Sequence, residues 1–141
     1  MNSFKKILFA TDLTKACSSI SQKVHEIVTD NNAELHIIHA IESFPTYAWG
    51  YVDFQKIEDE VKKEAKSRLL ASTDKFSIDQ KNLHLICQPS KGAILELAKE
   101  LKVDLIIVGS QSEHGFLGSL GSTASGVVNH APCDVLVLKH E

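Results

Sequence analysis

The chain has 141 residues, near the common size of one domain and enough to enclose a single core. With 43% hydrophobic and 23% charged residues it reads as globular rather than disordered. A formal charge of −3 supplies no pull toward nucleic acid or an acidic membrane, no apolar run approaches a spanning length, and no signal peptide is visible ahead of the first strand-like segment.

The hydrophobic pattern alternates between two periods along the chain. Lys6 to Thr11 (KILFAT) is a compact apolar run that reads as a buried strand. Ile20, Val24, Ile27 and Val28 then recur at helical spacing, with Ser18 or Ser19 as the expected cap and Asn31-Asn32 as the stop. Glu34 to Ala40 reads as the second strand. A longer loop, Ile41 to Gln55, carries Phe44, Tyr47, Trp49, Tyr51 and Phe54, five of the nine aromatics in the chain. A loop of this length is often a lid, a binding surface or a partly helical insert, and packing against the sheet or a second copy is favoured over ligand stacking. Ile57, Val61, Ala65 and Leu69 mark one face of the next helix, whose Glu/Lys-rich face reads as solvated with local ion pairs. Leu83 to Gln88 is the expected third strand, closed by Pro89. Gly92 is then expected to precede a helix with Ile94, Leu97, Ala98 and Leu101 on one stripe. Leu105 to Val108 reads as the fourth strand, Ala124 to His130 as the last helix, and Asp134 to Lys139 as the fifth strand. No linker, repeat or low-complexity tract interrupts the series, so residues 1–141 read as one domain.

Strands alternating with helices, mostly continuous in apolar character, predict a doubly wound parallel sheet with helices on both faces. Ligands in such sheets bind beyond the carboxyl ends of the strands, where the strand order reverses. Ala10, Thr11 and Asp12 after the first strand, and Gly109 and Ser110 after the fourth, are the natural candidates. The loop from Gly115 to Gly121 is rich in glycine and hydroxyls, and Gly121, Ser122 and Thr123 open the last helix. Main-chain N–H groups at a helix start lie beside the positive end of its dipole, which suits a phosphate. An ordinary strand–loop–helix connection with a serine cap is the plainer account.

Ile7 to Thr14 (ILFATDLT), Asp104 to Ser110 (DLIIVGS), Gly121 to Ala124 (GSTA) and His130 to Leu138 (HAPCDVLVL) together resemble the universal stress protein family, in order and from about Phe4 to Lys139. The resemblance implies a five-stranded parallel sheet of order 3-2-1-4-5, the adenine nucleotide alpha-hydrolase-like arrangement, and in many members a cytoplasmic homodimer. One branch of the family binds ATP and another does not. The ATP-binding branch carries a glycine after the fourth strand, a second glycine three residues on, and Gly-Ser or Gly-Thr at the last helix. Gly109 and Gly121-Ser122 match. Ser112 stands in place of the second glycine, the gap to Gly121 is one residue shorter, and Glu113 adds a negative charge. By this resemblance the nucleotide, ATP with a magnesium ion, would meet Ala10, Thr11 and Asp12 at the nucleoside. Ile38, Ala40 and Val108 would form apolar walls. The phosphates would meet Gly109, Ser110, Ser112, Gly121, Ser122 and Thr123. The plainer role for Asp12 is a turn residue bonding its own backbone.

Other conspicuous residues point to no chemistry. His36 and His39 lie three apart on a strand and face opposite sides, so they cannot hold one metal together. His25, His84, His130 and His140 have no ligand partner at useful spacing, and His114 reads as a loop histidine facing solvent. Cys17, Cys87 and Cys133 are odd in number, with no metal-like spacing, and free thiols in a reducing cytoplasm are the simplest account. No phosphate-loop, nucleophile-elbow or zinc-protease motif is present, and the aspartates of a response-regulator receiver are missing. The expectation is therefore a nucleotide-responsive binding protein, not an enzyme. Two alternatives stay open: a dimeric stress protein that acts by protein contact without nucleotide, and a weak ATPase. The pattern does not identify the regulatory partner. The last strand, apolar on both faces and at a sheet edge, is expected to pair two copies into a homodimer.

Overall fold

The computed structural model describes residues 4–14, 19–41, 54–110 and 121–139, apart from the side chains of Phe54 and Lys75. Five parallel strands form one sheet in the order β3-β2-β1-β4-β5: β1 Lys6–Ala10, β2 Glu34–Ala40, β3 Leu83–Ile86, β4 Leu105–Gly109 and β5 Asp134–Leu138. Between them run α1 (Ser21–Asn31), α2 (Phe54–Ser72), α3 (Ser90–Leu101) and α4 (Ser122–His130), with two short 3-10 turns before β3. The sheet order is the one implied by the family resemblance.

The apolar runs work because each strand is covered on both faces, and successive side chains go to opposite ones. Leu8, Ile38, Ile106 and Val108 pack under α3 and α4, against Ala93, Ile94, Leu97, Ala98, Ala124 and Val127. Ile7, Phe9, Ile37, Leu105 and Ile107 pack under α1 and α2, against Ile20, Val24 and Leu69. Register is tight: Ile7, Leu8 and Phe9 stand beside Leu105, Ile106 and Ile107, and Lys6 to Ala10 beside Glu34 to Ile38. No described helix is long and apolar enough to cross a membrane.

Several element ends differ from the pattern-based expectation. Ser19 is not the cap of α1, and Ser18 lies outside the described residues. Ile20 holds the cap position without a side-chain bond, because its own side chain is drawn into the core and sets where the helix begins. Gly92 lies inside α3, since Pro89 at the cap, with its fixed φ, starts the helix two residues before it. β3 stops at Ile86, short of Gln88. The expected stop at Asn31-Asn32 holds, with Asn32 in the left-handed conformation that asparagine tolerates. Glu58 and Lys62 form the expected local ion pair on α2, at 3.3 Å. α2 starts at Phe54, and the aromatic loop before it lies outside the described residues.

Candidate functional site

The strand order reverses at β1, which has β2 on one side and β4 on the other. The carboxyl ends of β1 and β4 are therefore neighbours, as the sequence pattern requires of a ligand cleft. Ala10, Thr11 and Asp12 leave β1 there, and Gly109 and Ser110 leave β4.

Helix α4 is tied to this point by main-chain bonds. The Ser110 N–H donates to the Leu138 carbonyl at 2.9 Å, and the Ser110 carbonyl accepts from the Gly121 N–H at 3.0 Å. One residue thus joins the end of β5, the end of β4 and the start of the helix. Gly121 is the N-cap, with φ −62 and ψ 158, a conformation any residue adopts, and no side chain caps the helix. A serine cap is therefore not what starts α4. The Gly121 N–H is also already used, so the donors left for an anion begin at Ser122 and Thr123. Neither of these has an assigned acceptor among the described residues, as the first turn of a helix provides. Deeper in, Gly126 omits a Cβ that would stand 2.6 Å from Lys91 Cδ, so the Lys91 side chain of α3 lies directly across α4 there.

The β1 exit is a pinned turn. The Thr11 hydroxyl accepts from the Leu13 N–H at 3.1 Å, and Asp12 Oδ1 accepts from the Thr14 N–H at 2.9 Å and from its hydroxyl at 2.6 Å. Leu13 sits at φ 64, a left-handed conformation that costs an L-residue about 1–2 kcal/mol. The Arg68 guanidinium donates to the Leu13 carbonyl at 3.0 Å. Asp12 is therefore engaged as a turn former through Oδ1, and it is exposed, so Oδ2 faces outward with no assigned donor among the described residues. The Thr11 backbone is occupied at both ends: its N–H donates to the Ile38 carbonyl at 2.9 Å, and its carbonyl accepts from His39 Nδ1 at 2.9 Å. A carbonyl only accepts, so the His39 proton sits on Nδ1. Thr11 consequently offers a ligand its side chain rather than its N–H.

The candidate walls divide by depth. Ile38 and Val108 are sealed in the core, 1% and 3% exposed. Ala10 and Ala40 lie at the strand ends, half-buried against the same α3–α4 cluster. Ser112 and Glu113, and with them the glycine loop, Cys17 and His114, lie outside the described residues. At Cys133 burial, then Asp134 and Asp104, push the thiol pKa up, which disfavours the thiolate form.

A pairing invisible in the sequence spacing lies elsewhere on the sheet. His36 Nδ1 and His84 Nε2 are 3.0 Å apart, and His36 Nε2 meets the Glu34 carboxylate at 2.8 Å. His84 thus has a hydrogen-bond partner on β2, 48 residues away in the sequence. The ring centroids stand 5.3 Å apart, which is the nitrogen separation plus one ring radius at each end. The rings therefore meet tip to tip in line, not face to face. The carboxylate can only accept, so His36 donates to it from Nε2 and accepts at Nδ1 from the His84 N–H. No cluster of three or more metal-ligating side chains occurs among the described residues.

Comparison with known proteins agrees with this architecture. The universal stress protein family model matches residues 3–139. Universal stress protein A homolog 2 of Coxiella burnetii is 37% identical over 142 aligned positions, covering 99% of this chain and 97% of the relative. Homolog 1 of the same organism is 30% identical, covering 96% of each. Among solved structures, the universal stress protein UspA from Lactobacillus plantarum shares the fold with a TM-score of 0.70 at 24% identity, covering 95% of this chain and 97% of that one. A universal stress protein in complex with cAMP superposes with a TM-score of 0.61 at 24% identity, covering 96% of both chains. With the family model spanning nearly the whole chain and the strand order the family requires, this chain belongs to the universal stress protein family.

Proposed function

We propose that the chain is a stress-response protein that binds an adenine nucleotide, ATP with Mg2+, at the carboxyl ends of β1 and β4, and acts by altering contacts with protein partners rather than by catalysis. The observation that carries this reading is the start of α4. Its Ser122 and Thr123 N–H groups are without acceptors among the described residues, and the Gly121–Ser110 bond holds them beside the β4 exit. Such a group of donors suits a phosphate. The outward Oδ2 of Asp12 is available to a ribose hydroxyl or a magnesium ion. A solved protein of the same fold is in complex with cAMP, which supports an adenine ligand for this fold.

The test is calorimetry with ATP and magnesium on the wild type, Gly121→Val and Ser112→Gly, alongside mass spectrometry of small molecules that copurify. Gly121 is buried at an ordinary φ, so valine there crowds the phosphate approach without straining the backbone. Its affinity should be lost while the sheet stays folded. Ser112→Gly restores the residue of the ATP-binding branch and should bind more tightly than wild type. No binding by wild type or Ser112→Gly at millimolar ATP would end the reading.

A second reading is favoured by β5. It is an edge strand in which Val135, Leu136, Val137 and Leu138 are only half-buried. Such an edge suits antiparallel pairing with a second copy, giving a homodimer that works by protein contact without nucleotide. Val137→Lys should then shift sedimentation toward monomer at unchanged circular dichroism. A wild type that stays monomeric at every concentration removes this reading.

A further inference from the structure

On the face of the sheet opposite α4, a cleft of about 380 Å³ opens between the β1 exit, the start of α1 and the last turns of α2. Its volume lies within the range of small-molecule sites. The floor is apolar, formed by Phe9 and Ile37 from the sheet, with Leu13 and Phe76 at the sides. Two polar groups on the lining have unmet capacity. The Ser21 hydroxyl is in a residue only 6% exposed and has no hydrogen-bond partner among the described residues. A buried hydroxyl left unpaired is unfavourable, which makes it a place where a ligand atom gains affinity. Arg68, the one arginine in the chain, spends a single donor on the Leu13 carbonyl and meets no carboxylate among the described residues. Four N–H donors remain in a fork that matches a carboxylate.

We propose that this cleft binds a small monocarboxylic acid with an apolar body: the body on Phe9, Ile37 and Phe76, the carboxylate on Arg68, and a ligand oxygen within reach of Ser21. A single cation among the described lining residues, over a mostly apolar surface, suits one negative charge better than a polyphosphate. The left-handed turn at Leu13 serves this cleft, because it turns the residue's carbonyl to the guanidinium and its side chain to the lining. The cleft shares Thr11 with the nucleotide reading but none of its phosphate donors, since α4 belongs to the other face.

Octanoate and its uncharged counterpart octanamide are the probes, titrated by calorimetry into wild type, Arg68→Gln and Ala71→Trp. Arg68 and Ala71 are both exposed, so thermal unfolding should stay close to wild type in each variant. Octanoate should saturate one site on wild type, with binding weaker by about tenfold in Arg68→Gln and absent when the tryptophan fills the mouth. Octanamide should bind about tenfold more weakly than octanoate and be indifferent to Arg68→Gln. No saturable octanoate binding by wild type up to about 10 mM overturns the proposal, as do equal affinities for acid and amide. Octanoate binding that survives Ala71→Trp, or that saturating ATP displaces, also overturns it.

Discussion

The two ends of the sheet are finished in opposite ways. At the amino ends of the strands, side chains close the backbone. Asp104 Oδ2 accepts from the Lys5 N–H at 2.8 Å and Oδ1 from the Lys6 N–H at 3.1 Å, while the Asp104 N–H returns to the Lys6 carbonyl at 2.9 Å. Asn31 accepts from the Phe4 N–H and donates to the Ile27 carbonyl, and the Lys6 ammonium donates to the Leu101 carbonyl. At the carboxyl ends, Ser122 and Thr123 keep donors in hand, Leu13 holds a strained conformation, and Asp12 has an oxygen to spare. One end spends its polar groups on the fold, whereas the other keeps some of them unpaired among the described residues. Unmet hydrogen-bonding capacity is what sets the carboxyl ends apart, since left-handed backbone occurs at both, at Leu13 on one and at the helix caps Asn32 and Lys102 on the other.

Substitutions at each end can break this contrast. The largest effect is expected from Asp104→Ala, which removes two charge-assisted bonds and should lower unfolding free energy by about 2 kcal/mol in urea titrations, leaving ATP affinity unaltered. Asn31→Ala should cost about 1 kcal/mol by the same measurement, again without effect on ligand binding. At the opposite end Asp12→Ala should lose only about 0.5 kcal/mol of stability, since its turn is exposed, yet weaken ATP by about tenfold. A stability loss at Asp12 as large as that at Asp104 would erase the distinction.

The smallest expected effect concerns pH. Burial, then the neighbouring His36, holds His84 below its ordinary value, so the unfolded chain takes up this proton first. Stability from this group is full above about pH 6.5 and is lost as pH falls below it. Glu34 is held low chiefly by its bond from His36, so its contribution is present above the usual glutamate range and goes only at lower pH. Both signs agree: acid weakens the β2–β3 edge. Urea midpoints at pH 7.5 and 5.5 should differ less in His84→Gln than in wild type.

The sheet could be read from the sequence because β1, β2 and β4 are buried on both faces, and an apolar run cut by glycine or a polar residue has few other meanings. Element starts were less legible. Ile20 and Pro89 open helices through packing and a fixed φ, whereas the pattern draws attention to the nearby serines and Gly92. At the site, residue types were readable but the uses of their atoms were not. Nothing in Thr11-Asp12 says that the Thr11 N–H is taken by Ile38, or in Gly121 that its N–H belongs to Ser110. The His36–His84 contact depends on register: Ile38 stands beside His84, which brings His36 to the diagonal position on the same face. Alternation within each strand supplies the face, but only the pairing of the two strands supplies the meeting. The cleft under Arg68 is still harder to foresee, since it gathers side chains from β1, β2, α1 and α2 and the turn after α2.

The Asp104 clamp joins residues 98 and 99 positions apart, and β1 meets β4 across the same span. On a ribosome, the strand at the centre of the finished sheet is made first and completed late. β2 and β3 can join it as they emerge, but until β4 follows, one side of β1 is an unpaired edge bearing Ile7, Leu8 and Phe9. Such an edge invites pairing with any other extended chain. Nascent chains stalled before Asp104 are thus expected to aggregate more readily than the finished sheet.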